Sequence, residues 1–102
     1  IQCMDAPFTL EDNVITQLTG RSALGIVGER SVGTITNNSI GPLQGILTSN
    51  SNQVVTGIAI SDSSAVISAN HVSTLGNGAS GSNAFVRGLH VTNTTAWAMD
   101  NT

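Results

Sequence analysis

The chain has 102 residues, a formal net charge of −3 at pH 7, and only 9% charged residues. Three arginines and no lysine leave nothing to neutralise a run of phosphates, so nucleic-acid binding is not expected. No apolar run approaches the roughly 18 residues of a spanning helix, which argues against membrane insertion or a secretory signal.

Twelve Ser, twelve Thr and ten Asn make up a third of the chain, beside a 39% hydrophobic fraction. That balance describes polar corners around an aliphatic core and not a disordered segment. The start of the chain reads two ways. In Pro7 to Gly20, Thr9 and Asp12 have capping-box spacing and Leu10, Val14 and Leu18 share a helical face. Against a helix, Phe8 and Leu10 alternate, Asp12-Asn13 makes a turn, and Val14-Ile15-Thr16 is a β-branched run. Residues 1–22 are therefore expected to be an irregular first coil or a capping segment. The lone Cys3 has no partner for an internal disulfide.

From residue 23 to 102 the chain repeats itself. Gly25 to Ile40 and Gly57 to Val72 align without gaps at Gly25/Gly57, Ile26/Ile58, Ser31/Ser63, Ile35/Ile67 and Asn38/Asn70. A third copy, Gly88 to Thr102, keeps Gly88, Ala96 and Asn101. The periods, 32 and 31 residues, belong to stacked supersecondary units that share one core. Within the central copy, Ile58 and Ile60 are two apart, the strand period, and the segment is too short for a helix. Ser61 to Ser64 gives a polar corner, Ala65 to Ser68 a second strand, and Asn70 a second corner, since Asn tolerates the left-handed conformation. His71-Val72 starts a third extended piece, and Gly76 to Ser82 reads as a loop. A bend is expected before Gly57 and Gly88, because unbroken alternation would bury Arg87. Stacking such coils places Ile26, Ile58 and Leu89 in one interior column and Ile35, Ile67 and Ala98 in another. Asn38, Asn70 and Asn101 then form an amide ladder.

The string carried by Gly57, Ile58, Ile60, Ser63, Ile67, Asn70 and Val72 resembles the repeat of right-handed parallel β-helices. It is similar to repeats of pectin-lyase-like proteins and phage tailspikes, over most of residues 24–102. The resemblance implies an all-β solenoid of about three to four coils. It implies a surface fibre that recognises cell-surface polysaccharide, on a virion or otherwise extracellular, working as a homotrimer. A polysaccharide hydrolase or lyase of the same architecture is the alternative, and an adhesin or autotransporter passenger a weaker one. So few coils suggest a piece of a longer chain. Gly28 stands where the other copies have Ile60 and Val91, and Trp97 and Met99 flank Ala98, so the last strand is where the register is hardest to read.

Candidate chemistry is sparse. The acids Asp5, Glu11, Asp12, Glu29, Asp62 and Asp100 do not pair in sequence, but stacking brings Glu29 and Asp62 to one corner with Arg30. A coil spacing near ~4.8 Å would give these two carboxylates the separation of a glycoside-hydrolysing pair. The plain reading is a solvated corner with an Arg30–Asp62 salt bridge. Pectate-lyase-type calcium sites need clustered carboxylates, which this sequence lacks, so neither metal nor cofactor is expected. His71 and His90 fall on different columns, without a further ligand at metal spacing, and both should face outward. Trp97 suits a sugar platform, with His90 and Arg30 as polar partners; packing at the lower end of the stack or in a subunit contact is its plain alternative.

Overall fold

A computed structural model of the chain describes residues 1–46, 53–73, 75–77 and 84–102. The described residues hold fourteen strands and no helix. Repeat 1 comprises β1 (Gln2–Met4), β2 (Phe8–Glu11), β3 (Val14–Ile15) and β4 (Leu18–Gly20). Repeat 2 comprises β5 (Ser22–Glu29), β6 (Val32–Thr36), β7 (Ser39–Ile40) and β8 (Leu43–Gly45). Repeat 3 comprises β9 (Gln53–Ser61), β10 (Ser64–Ser68), β11 (His71–Val72) and β12 (Leu75–Asn77). Repeat 4 contributes β13 (Ala84–Thr92) and β14 (Thr95–Met99).

Every pairing is parallel and joins a strand to its counterpart in the next repeat. Sheet A runs β1-β5-β9-β13, sheet B β14-β10-β6-β2, sheet C β11-β7-β3 and sheet D β12-β8-β4, so each full repeat visits the four sheets in the same order. One buried cluster draws on all four, with Ile26 and Ile58 from sheet A, Ile35 and Ile67 from B, Ile40 from C and Leu43 from D. The alternation of a pleated strand selects them: Ala65 and Ile67 point in, and Ser64 and Val66 point out. Each fully buried aliphatic side chain contributes about 1.5–3 kcal/mol.

The first repeat differs from the others in its spacing. Its strands β2, β3 and β4 pair with repeat 2 at an offset of 25 residues: Leu10 opposite Ile35, Ile15 opposite Ile40, Leu18 opposite Leu43. The later offset is 32, as in Ile26 opposite Ile58. Ile46 still donates its N–H to Gly20 O at 2.8 Å, so the extra length of repeat 2 falls after this point. The polar stretch Ser49 to Asn52, which reads in the sequence as a further corner, lies outside the described residues. The expected loop starting at Gly76 is strand up to Asn77, and its remainder lies outside the described residues too. In the last strand the register is straight, with Val66 opposite Trp97 and Ile67 opposite Ala98.

Sheet A carries the bend before Gly57. Val55 and Ile58 are both buried although they differ in parity, and the ladder passes over Gly25 and Gly57. Thr56 is buried too, between Leu24 and Arg87 in the register. A Cβ on Gly57 would meet the Val72 side chain and lie 2.7 Å from Gly88 O, so the backbones of adjacent repeats approach here as only glycine permits.

The left-handed residues correct one expectation. Positive φ falls at Asp12, Asn37, Ala69 and Asp100, one position before Asn13, Asn38, Asn70 and Asn101. Asn70 does not turn the corner through its own backbone. Ala69 does, at φ 54°, and Asn70 is freed to point inward.

Candidate functional site

Three polar features stand out, one inside the molecule and two outside. Inside, Asn38 and Asn70 are 1% exposed and belong to a four-membered column. Asn13 donates its N–H (3.0 Å) and Nδ2 (2.9 Å) to Asn38 Oδ1. Asn38 donates likewise to Asn70 Oδ1, at 3.0 and 2.9 Å, and Asn70 to Asn101 Oδ1, at 3.1 and 2.9 Å. Spare amide hydrogens satisfy carbonyls, as in Asn70 Nδ2 to Ile35 O at 2.8 Å. This column holds the second corner of each repeat and offers nothing to solvent at its centre.

The first exterior feature is the corner between sheets A and B. Asp5, Arg30, Asp62 and Asn93 occupy it, all with positive φ. Each hands its N–H to the next repeat where one follows: Asp5 to Glu29 O, Arg30 to Ser61 O and Asp62 to Thr92 O, each at 3.1 Å. Behind them runs a hydroxyl ladder. Ser31 N–H donates to Ser63 Oγ (3.1 Å) and Ser63 N–H to Thr94 Oγ1 (3.2 Å), while each hydroxyl donates back to the carbonyl two residues before it. The corner is thereby fixed before any ligand arrives. Arg30 grips Asp5 with both ends of its fork, Nε to Oδ1 at 2.7 Å and Nη2 to Oδ2 at 2.9 Å, and its Nη1 meets Glu29. That hydrogen bond, followed by the attraction of the guanidinium charge, holds the Asp5 carboxyl below its usual range and raises Arg30 further. The Arg30–Asp62 salt bridge anticipated above is replaced by Arg30–Asp5, because the left-handed corner of repeat 1 brings Asp5 over Arg30. Asp62 instead accepts Asn93 Nδ2 at 2.5 Å.

A shallow groove of about 450 Å³ follows this corner, lined by Asp5, Pro7, Arg30, Val32, Asp62 and Ser64 among others. Glu29 is not part of its wall. It sits in the ladder opposite Ser61 and turns to Arg30, so the groove holds one member of the Glu29/Asp62 pair.

The second exterior feature is the outer face of sheet B. Its columns are Val32, Ser64, Thr95; then Thr9, Thr34, Val66, Trp97; then Glu11, Thr36, Ser68, Met99. Glu11 is the one charge among these eleven residues. Trp97 is 68% exposed at the foot of the central column, beside half-exposed Met99. Thr36 Oγ1 and Ser68 Oγ share a hydrogen bond of 3.4 Å. His90 lies elsewhere, on sheet A in line with Gln2, Val27 and Ala59, where its Nε2 meets Thr92 Oγ1 at 3.2 Å. Trp97, His90 and Arg30 therefore occupy one sheet face, another sheet face and a corner. Arg87, read in the sequence only as a residue to be kept out of the core, holds its guanidinium carbon 4.9 Å over the Phe85 ring; the Phe-x-Arg spacing on one strand is the signal for that contact.

Among the described residues no group of three or more His, Cys, Asp or Glu could hold a metal ion. Among the described residues no helix is long and apolar enough to cross a membrane. No family model matches the chain, and no curated protein matches its sequence.

Proposed function

We propose that the chain is a segment of a right-handed parallel β-helix that serves as a rigid glycan-recognising rod, like those of phage tailspikes and comparable surface fibres. The cyclic use of four parallel sheets supports the helical reading. The right hand follows from the twist preference of parallel connections. Such a rod belongs on a virion surface or otherwise outside the cell, facing cell-surface polysaccharide. Homotrimer formation side by side is the assembly proposed with it, since sparse charge gives copies little mutual repulsion.

Trp97 is the observation that carries the reading. An exposed indole costs solvation unless something covers it, and here it ends a face on which six of eleven residues carry hydroxyls, four are apolar and one is charged. A pyranose has the matching chemistry, an apolar ring face to stack on the indole and equatorial hydroxyls to meet Thr and Ser side chains. The face extends over four strands, roughly 15 Å across at ~4.8 Å per strand, which suits two or three sugar units better than a stable protein interface. The corner groove offers a hydrolase only Asp62 of the two expected acids, so Glu29 and Asp62 receive no catalytic role here.

Trp97 is the only tryptophan in the chain, so its emission reports on this face alone. Titration with neutral host-surface polysaccharides should shift that emission, and Trp97→Ala should weaken binding about tenfold or more, the scale of one stacking contact. Emission that stays constant across such a panel, with Trp97→Ala binding as well as the parent, would sink the proposal.

A further inference from the structure

The corner groove between sheets A and B has chemistry that the Trp97 face lacks. On the side of sheet A it is walled by Asp5, Arg30 and Asp62, one from each of repeats 1, 2 and 3, so the charge alternates along the rod. On the side of sheet B stand Pro7, Val32 and Ser64, with Val32 63% exposed. The serines between these rows are already committed, Ser31 Oγ to Glu29 O and Ser63 Oγ to Ser61 O. What remains for a ligand lies on the rows themselves. Arg30 has five N–H groups. Asp5 takes two of them and Glu29 one. Of the Asp62 carboxylate, Oδ1 accepts from Asn93 and Oδ2 has no hydrogen-bond partner among the described residues. Spare donors and a spare acceptor thus stand in adjacent repeats, at a strand spacing of about 4.8 Å, beside the apolar surface of Pro7 and Val32.

That arrangement disfavours ions. Asp5, Glu29 and Asp62 outnumber Arg30, so an anion meets an excess of negative charge. An ammonium drawn to Asp62 would face the spare Arg30 N–H groups, a like charge. A hydroxyl both donates and accepts, and two on neighbouring carbons can donate to Asp62 while they accept from Arg30. A pyranose adds a C–H face to lie on Pro7 and Val32.

The groove also continues the face that ends in Trp97. Val32 and Ser64 form one outer column of sheet B with Thr95, and Trp97 stands two residues along the strand from Thr95. At about 3.4 Å per residue and about 4.8 Å per strand, Ser64 and Trp97 are roughly 8 Å apart, a separation that one intervening sugar spans.

We infer that the corner groove is a second subsite for the same glycan, which takes an uncharged pyranose by a vicinal diol, with Asp62 Oδ2 as acceptor, Arg30 as donor, and Pro7 and Val32 against the ring. The inference rests on the glycan reading of the Trp97 face and adds the class of sugar, neutral and carrying two free adjacent hydroxyls.

The test uses the 102-residue chain and the methyl glycosides of glucose, mannose and galactose, with those of glucuronic acid and glucosamine as charged counterparts. At tens of millimolar, at least one neutral glycoside should move the methyl signals of Ala6 and Val32 and the amide of Ser64, and the charged ones should not. Asp62→Asn should weaken that response about tenfold, the scale of one hydrogen bond to a charged group. Its fold should hold, because Asn93 occupies the same left-handed place in the next repeat. Val32→Ser, on the other wall, should weaken it too. Asp12→Asn, the same change at the matching Asp12–Asn37 contact of the corner between sheets B and C, should bind as the parent does. The inference is overturned if no neutral glycoside moves these signals, if a charged one binds as well, or if Asp62→Asn and Val32→Ser both bind as the parent. A polysaccharide that shifts Trp97 emission without moving Val32 overturns the second subsite and leaves the Trp97 face standing. Glycoside shifts at Val32 that persist in Trp97→Ala uphold the subsite whatever becomes of that face.

Discussion

Asn70 shows how one side chain replaces several backbone bonds. It accepts from the N–H and Nδ2 of Asn38 and donates to Ile35 O and Asn101 Oδ1, all with 1% of its surface exposed. Truncation leaves the Asn38 N–H and the Ile35 C=O without these partners, so Asn70→Ala should cost about 1–3 kcal/mol in urea unfolding. Since the left-handed residue is Ala69, Asn70→Gly should give no relief and cost at least as much as Asn70→Ala. Ala69→Gly, in contrast, should stabilise by up to about 1 kcal/mol, because an L side chain at φ 54° is strained. Relief at position 70 and loss at position 69 would return the corner to the asparagine backbone. Three members of this ladder could be read from the sequence, because 32- and 31-residue periods align them. Asn13 could not, because repeat 1 is shorter and its offset of 25 hides it from any fixed-period comparison.

At the scale of elements, the strand pattern was legible where alternation is long, in β5, β6, β9, β10 and β13. It was poorly legible in sheets C and D, whose strands have two or three residues and so carry too few apolar positions to define a period. The corner was misread for a different reason: Asp5 reaches Arg30 from a repeat that sequence comparison had not aligned. The bend at Gly57 was readable, because unbroken alternation with Ile58 and Ile60 would bury Arg87 in the column of Thr56. Its energetic weight is testable. A methyl group at Gly57 would press on Val72 and on the Gly88 carbonyl, neither of which is the loose end of a long side chain, so Gly57→Ala should destabilise by about 1–3 kcal/mol. Gly76→Ala is the control: its Cβ would meet Gln44 and Leu43 atoms at 3.7 and 3.9 Å, ordinary contact, and thermal unfolding should hardly change. Equal effects of the two substitutions would mean that the approach of repeats at Gly57 is not under constraint.

Over the whole molecule, burial is distributed by repeat. Among the described residues, the buried aliphatic ones all come from repeats 2 and 3, namely Ala23, Ile26, Ile35, Ile40 and Leu43 from one and Val55, Ile58, Ile60, Ala65 and Ile67 from the other. Repeat 1 offers partly buried Phe8, Leu10, Ile15 and Leu18, and in repeat 4 Leu89 and Val91 remain 38% and 37% exposed. Every strand pairing joins adjacent repeats, so stability should behave as a sum of repeat and neighbour terms, with a central pair more stable than either flank. Native-state hydrogen exchange of the 102-residue chain should then order the amides in sequence of opening: β13 and β14 together with β1 first, then β2 to β4, and Ile35, Asn38, Ile58 and Ile67 last, with opening free energies approaching that of global unfolding. The ladder makes the gradient specific. Asn101 is partly exposed and supplies the acceptor for Asn70, so Asn101→Ala should cost less than Asn70→Ala and should speed exchange at Asn70 while leaving Asn13 unchanged. If all these amides exchange at one rate, and Asn101→Ala accelerates Asn13 as much as Asn70, the four repeats open as a single unit, and the strength of their shared core outweighs the differences in burial between them.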